Sequence, residues 1–115
     1  MKLNILGHEV EVVYPTEPDE ELMGLFCPER NVIEIHTQNP NLALSTLMHE
    51  ILECINYFLE LGLKHHQITS LETSIHQVLI ANPELNSYND PRLKEDRHAL
   101  QARTVWKSGR ETDRV

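Results

Sequence analysis

The stretch TLMHEILE, residues 46–53, is the most informative part of this 115-residue sequence. His49 and Glu53 are four positions apart, so on an α-helix their side chains lie on one face and can converge on one ion. Glu50 points to the side of that pair, where it can take a proton from a water molecule on the ion. We therefore interpret His49 and Glu53 as metal ligands and Glu50 as a general base.

This spacing is that of the HExxH motif of zinc peptidases, with Glu53 in place of the second histidine. Carboxylate oxygens also bind zinc, at about 2.0–2.2 Å, so the change need not abolish the site. The neighbouring positions are strongly apolar: Leu47, Met48, Ile51, Leu52, Cys54 and Ile55. Because a buried carboxylate is costly unless it is paired or coordinated, these surroundings favour a shared ligand.

A third protein ligand must come from elsewhere, since catalytic zinc takes three protein ligands and keeps one open position. A second helix supplies Glu72 and His76, which are four apart and therefore share a face. Both are candidates if the two helices fold back on each other. His65 and His66 lie in the connection between the helices, and they reach the site only if the first helix ends early.

Two helices are predicted in the middle of the chain. The first begins near Pro40, with Asn39 or Asn41 as its cap, and its apolar residues recur at three- and four-residue spacing as far as Gly62. The second spans residues 66–81. Their short connection predicts antiparallel neighbours.

The N-terminal third predicts a small sheet. Residues 2–14 contain two short strands, the second of which alternates apolar and charged positions. Runs at 24–27 and 31–36 with a short polar connection predict a hairpin, with Ile33 and Ile35 on one face. The expected fold is α+β: an antiparallel or mixed sheet of about three or four strands, packed on the two helices.

The domain organisation follows from length and composition. We expect one domain over residues 1–90, and a C-terminal helix with a flexible tail over residues 91–115. Cys27 and Cys54 belong to no closely spaced cysteine pair, so both are predicted to be reduced and buried.

The charge is strongly uneven. Residues 1–82 carry three basic and twelve acidic side chains, a net charge of −9. Such a body repels phosphate backbones, so nucleic acid is not an expected partner. There is no apolar run long enough for a membrane span and no signal-like N-terminus, so a cytoplasmic protein is expected. The sequence does not indicate an oligomeric state.

The order of elements is similar to that of a known family. A hairpin, a long helix with Leu47-Met48-His49-Glu50 and a second helix with Leu71-Glu72 resemble the minimal zincin domains. The resemblance is closest to small metallopeptidases encoded by phages and prophages, relatives of the ImmA/IrrE and SprT-like groups. It covers about residues 22–82.

The resemblance implies one zinc ion, or another divalent metal, with Glu72 as the best match to the third ligand and His76 or His66 as alternates. It also implies that residues 31–37 form an edge strand beside the first helix, where a substrate peptide adds to the sheet. Tyr57, His36 or His76 would stabilise the oxyanion.

Hydrolysis of a peptide bond in a peptide or protein substrate is therefore the expected function. A first alternative is a zincin-like scaffold that binds or regulates a partner without catalysis. A second is an all-α, magnesium-dependent nucleotide pyrophosphatase, with Glu50 and Glu53 as its first acidic motif. That alternative fits poorly, because Ile75 stands where the second motif needs an acid.

Overall fold

The computed structural model describes residues 1–92, which fall into two compact units, Met1–Pro83 and one that begins at Glu84. The first contains four strands, β1 (Lys2–Ile5), β2 (His8–Val13), β3 (Gly24–Cys27) and β4 (Val32–Ile35), and two helices, α1 (Pro40–Leu59) and α2 (His65–Ala81). A short 3-10 helix covers Pro83–Ser87. The expected α+β fold is confirmed, and it contradicts the all-α class that the pyrophosphatase alternative requires. The helix and tail predicted within residues 91–115 lie outside the described residues from position 93 onward.

The sheet is mixed, with strand order β1-β2-β4-β3. Strand β4 pairs in parallel with β2 and antiparallel with β3. The expectation that residues 31–37 form the edge strand is therefore wrong, because β4 is inserted between two partners. Strand β3 is the edge strand on that side of the sheet. After β2, a long segment leads the chain to β3. The chain then returns as β4, which lies between β2 and β3.

The core lies between the sheet and α1. Val10, Val12, Ile33 and Ile35 are at most 3% exposed, which confirms the predicted alternation in both strands. Cys54 on α1 packs among them and is fully buried. Burial of such apolar side chains is the main source of stability for a domain of this size.

The two cysteines are free, as predicted. Cys54 is buried, and burial raises the pKa of its thiol to about 12. Cys27 is only half-buried, because it lies at the end of the edge strand.

Helix α1 begins as expected and ends earlier than expected. The Asn39 side chain accepts a hydrogen bond from the N–H of Asn41 at 3.0 Å, and Pro40 occupies the first helical position. Glu60 adopts a left-handed conformation, with φ of 51°, and ends the helix before Gly62. Residues 60–64 connect the two helices. Helix α2 begins at His65, one residue earlier than predicted.

Candidate metal centre

His49 and Glu53 lie on consecutive turns of α1, as their spacing requires. Nε2 of His49 is 3.5 Å from Oε2 of Glu53. The side chains are 15% and 31% exposed, so the pair stands at the surface of the core with access to solvent. The two groups thus form the first part of a ligand set.

His65 completes this set from the first residue of α2. Its ring centroid is 5.1 Å from that of His49. His49, Glu53 and His65 each offer one ligand atom, and these three atoms lie within 4.8 Å of one another. This group can hold a metal ion.

The donor set fits a catalytic zinc ion. Two imidazoles and one carboxylate are a ligand combination found at zinc sites of hydrolases. Zinc–nitrogen bonds of about 2.0–2.1 Å place tetrahedral ligand atoms about 3.4 Å apart, close to the His49–Glu53 separation. The remaining separations need to close by about 1 Å or somewhat more, which side-chain rotation of the exposed His65 can provide. In effect, His65 supplies the imidazole that Glu53 replaces in the motif.

The path between the helices explains why His65 arrives at this place. The Asn56 side chain receives a hydrogen bond from the Leu63 N–H at 2.9 Å and donates one to the Leu63 carbonyl oxygen at 3.2 Å. These two bonds hold the connection against α1 just before α2 begins. The Lys64 N–H donates to the Gln67 side chain at 2.8 Å, which fixes the first turn of α2. Gln67, at the third helical position, thus makes the reciprocal bond of a capping box, whereas the Lys64 side chain has no acceptor for the other bond.

The other ligand candidates lie elsewhere. Glu72, two turns after His65, lines a cleft together with His49, Glu50 and His65, but it is not part of the ligand cluster. His66 and His76 do not line the clefts beside the cluster. From the sequence, His65 can reach the site only if the first helix ends early. Helix α1 does end early, at Leu59.

Glu50 lies beside the cluster and is only 7% exposed. Within residues 1–92, neither a hydrogen bond nor an ion pair reaches its carboxylate. Burial, and secondarily the charge of Glu53, raises the pKa of Glu50 to about 7. A buried carboxylate without a partner is costly, so its retention next to three ligand groups points to a function.

Close packing of β3 on α1 creates this environment. A Cβ atom on Gly24 would lie 2.7 Å from Cγ2 of Thr46 and 3.2 Å from Cγ of Glu50. Any larger residue at this position would push the strand away from the helix. Glycine therefore lets the edge strand approach the catalytic candidate directly.

Two clefts meet at the centre, and they share Gly24, His49, Glu50 and His65. The β3-side cleft, of about 440 Å³, is also lined by Leu25, Phe26, Pro28, Glu53, Asn56 and Tyr57. The α2-side cleft, of about 340 Å³, is also lined by Glu21, Leu22, Met23, Ser45, Thr46, Thr69 and Glu72. Because Thr69 and Glu72 face the early turns of α1 while His65 faces its middle, α2 runs antiparallel to α1, as predicted.

Of the three residues predicted to stabilise the oxyanion, only some lie near the metal centre. Tyr57 lines the β3-side cleft. His36 is buried away from it: its Nε2 is 2.8 Å from Oε1 of Glu34, and its Nδ1 accepts a hydrogen bond from the Asp19 N–H at 2.9 Å. Both ring nitrogens of His36 are thus engaged, Nδ1 with the segment before β3 and Nε2 with Glu34 on β4. Tyr57 is the one member of this predicted group that reaches the clefts beside the metal centre.

Comparison with known proteins adds no assignment. No protein-family model matches the chain, and no curated protein or solved structure is significantly similar to it. The zincin resemblance therefore remains a prediction from the sequence motifs. None of the helices within residues 1–92 is long and apolar enough to cross a membrane.

Proposed function

We propose that this chain is a zinc-dependent hydrolase of peptide bonds, in which His49, Glu53 and His65 hold the ion and Glu50 is the general base. One observation carries the proposal: the buried Glu50, which has no partner within residues 1–92, lies beside a His–Glu–His cluster where two clefts meet. A charged group that only stabilises a core is normally paired with an opposite charge. A buried carboxylate such as Glu50 therefore indicates another role.

The chemistry expected of Glu50 follows from its position. Zinc in such a site lowers the pKa of water and polarises a carbonyl oxygen. Beside such an ion, Glu50 would be ionised and would serve as a base at neutral pH. Glu50 accepts the proton of the attacking water and returns it to the leaving nitrogen.

A peptide is the substrate that the surroundings favour. Among residues 1–92, strand β3 has a neighbour on one side only, so the backbone groups of its outer side are available to an extended chain. Leu25 and Phe26 of this strand line the same cleft as Glu50 and the ligand cluster. A peptide that pairs with β3 would therefore bring its backbone carbonyls past the centre.

The test is the zinc content of protein purified without added metal or chelator. We expect nearly one zinc per wild-type chain, and loss of zinc in His49→Ala and His65→Ala. His66→Ala is the matched control, because it removes an adjacent exposed histidine that does not line the clefts. It should retain the zinc.

Two outcomes would contradict the proposal. Wild-type protein that neither contains zinc nor binds added zinc has no such centre. Zinc that survives in His65→Ala but is lost in Glu72→Ala would instead assign Glu72 as the third ligand.

A further inference from the structure

The two clefts beside the metal centre differ in chemistry. Beyond the shared residues and Glu53, the β3-side cleft is mainly apolar, with Leu25, Phe26, Pro28 and Tyr57 in its wall. The rings of Phe26 and Tyr57 meet edge to face, with centroids 5.8 Å apart. Leu25 and Tyr57 are 39% and 55% exposed, so apolar surface in this cleft is open to a ligand.

The α2-side cleft is acidic and hydroxyl-lined. Glu21 precedes β3 and Glu72 projects from α2, so carboxylates from two different elements line one cavity. Ser45, Thr46 and Thr69 also line this cleft, together with the apolar Leu22 and Met23. Among residues 1–92, neither cleft is lined by lysine or arginine. A positively charged group bound there would thus meet no lysine or arginine side chain in the wall.

An independent observation shows that a ligand belongs at the junction of the clefts. Glu50 as a residue is more than nine-tenths buried, its side chain has no hydrogen-bond or ion-pair partner within the described residues, and it lines both clefts. Glu50 is therefore not an ordinary surface carboxylate, because surface carboxylates are exposed to solvent. Glu21 and Glu72 therefore flank a site that already requires an occupant.

We propose that the clefts are two subsites of one groove, and that its ligand is a peptide with an apolar side chain on the β3 side and a positively charged group on the α2 side. This inference rests on the proposed function, whose substrate class it narrows. Glu72 and Glu21 recognise the positive group by charge complementarity. The net charge of −9 over residues 1–82 also favours the approach of a cationic peptide. The positive group is either a lysine or arginine side chain or the α-amino group of the peptide.

Binding of fluorescent peptides, followed by anisotropy, tests this recognition without requiring turnover. One peptide set is capped at both ends and contains phenylalanine and lysine, in both orders, with short alanine spacers. A second set has norleucine in place of lysine. A third combines norleucine with a free α-amino group, and it distinguishes the two sources of positive charge.

We expect the lysine or free-amine peptides to bind zinc-loaded wild-type protein roughly fivefold more tightly than the capped norleucine peptides. Glu72→Gln should remove most of that preference. Glu9→Gln is the matched control, because it removes the same charge from an exposed position on β2, outside both clefts. This control should keep the full preference.

The inference is overturned if the capped norleucine peptides bind as tightly as the charged ones, if no peptide binds, or if Glu72→Gln keeps the preference. Cleavage of the same peptides by wild type and Glu50→Gln is measured in parallel. Cleavage without a charge preference would overturn the subsite assignment alone. Charge-selective binding without cleavage or bound zinc would overturn the hydrolase proposal and retain the peptide groove.

Discussion

Glu50 is the residue whose environment is hardest to explain without a function. It is buried between Gly24 and the ligand cluster, and no group within residues 1–92 neutralises it. A carboxylate at this position lowers the stability of the fold, because its ionised form is desolvated. Glutamine or an apolar side chain would avoid that cost. The position of Glu50 has consequences for catalysis and for stability.

The first concerns catalysis. Glu50→Gln keeps the shape of the side chain but removes the base, so peptide cleavage should fall by about 10²–10⁴-fold while the zinc content stays near that of wild type. Steady-state kinetics with a cleaved peptide, together with metal analysis of the same samples, checks both parts. Activity that survives in a zinc-loaded Glu50→Gln protein would refute the general-base assignment.

The second concerns stability in chelator-treated protein. The pKa of Glu50 is about 7 in the folded chain and near 4.5 when the group is solvated. Because the folded state holds this proton more tightly, the Glu50 contribution to the free energy of unfolding is full below about pH 4.5. That contribution is lost as the pH rises through 7, by about 3 kcal/mol in all.

Urea denaturation at several pH values measures this contribution. Glu50→Gln should lack the decline that wild type shows between pH 4.5 and 7, since glutamine does not titrate. Parallel pH profiles for the two proteins would mean that the carboxyl group is not desolvated as the structure indicates.

At the scale of elements, the connection between α1 and α2 decides which histidine joins the centre. The early end of α1 at Leu59 and the two hydrogen bonds between Asn56 and Leu63 return the chain to α1. His65 follows Leu63 by two positions. Asn56 is therefore a positioning residue that acts on the metal through His65.

Asn56→Ala should weaken binding of zinc, or of cobalt as a spectroscopic substitute, by roughly tenfold or more. In a His65→Ala background, the same change should have little further effect, because Asn56 then has no ligand to position. Asn82→Ala is the control: it removes a comparable amide–carbonyl bond, to Val78 at the end of α2, without touching the centre.

Cobalt titration of wild type, Asn56→Ala, His65→Ala, the double variant and Asn82→Ala, followed by visible absorption, checks this coupling. If Asn56→Ala destabilises the fold as Asn82→Ala does but leaves the cobalt affinity and spectrum unchanged, Asn56 has only a structural role.

For the whole molecule, the proposed centre joins the two helices through His49 and Glu53 on one side and His65 on the other. Zinc at about 100 times its Kd should therefore stabilise the folded chain by about 2.7 kcal/mol. For a domain of this size, that corresponds to a rise of roughly 10–20 °C in Tm. Differential scanning calorimetry with and without chelator measures the shift.

His49→Ala should abolish the zinc-dependent rise in Tm, whereas His66→Ala should preserve it. An equal rise in both variants would show that zinc binds somewhere other than this centre.

Features that depend on residues close together along the chain could be predicted from the sequence. The period of apolar residues predicts α1, and the four-residue spacing places His49 and Glu53 on one face of it. Alternation along β2 and β4 predicts which side chains enter the core. The unusual setting of Glu50 was also predictable, because its sequence neighbours on α1 are apolar.

The tertiary structure alone decided the edge strand and the third candidate ligand. Local patterns give strand faces but not strand order, so the insertion of β4 beside β2, which leaves β3 at the edge, was not predictable from them. Glu60 ends α1 in a left-handed conformation that favours glycine, so Gly62 was the expected stop. His65 then reaches His49 because Asn56 bonds to Leu63 seven positions away, and helical periodicity contains no information about that return path.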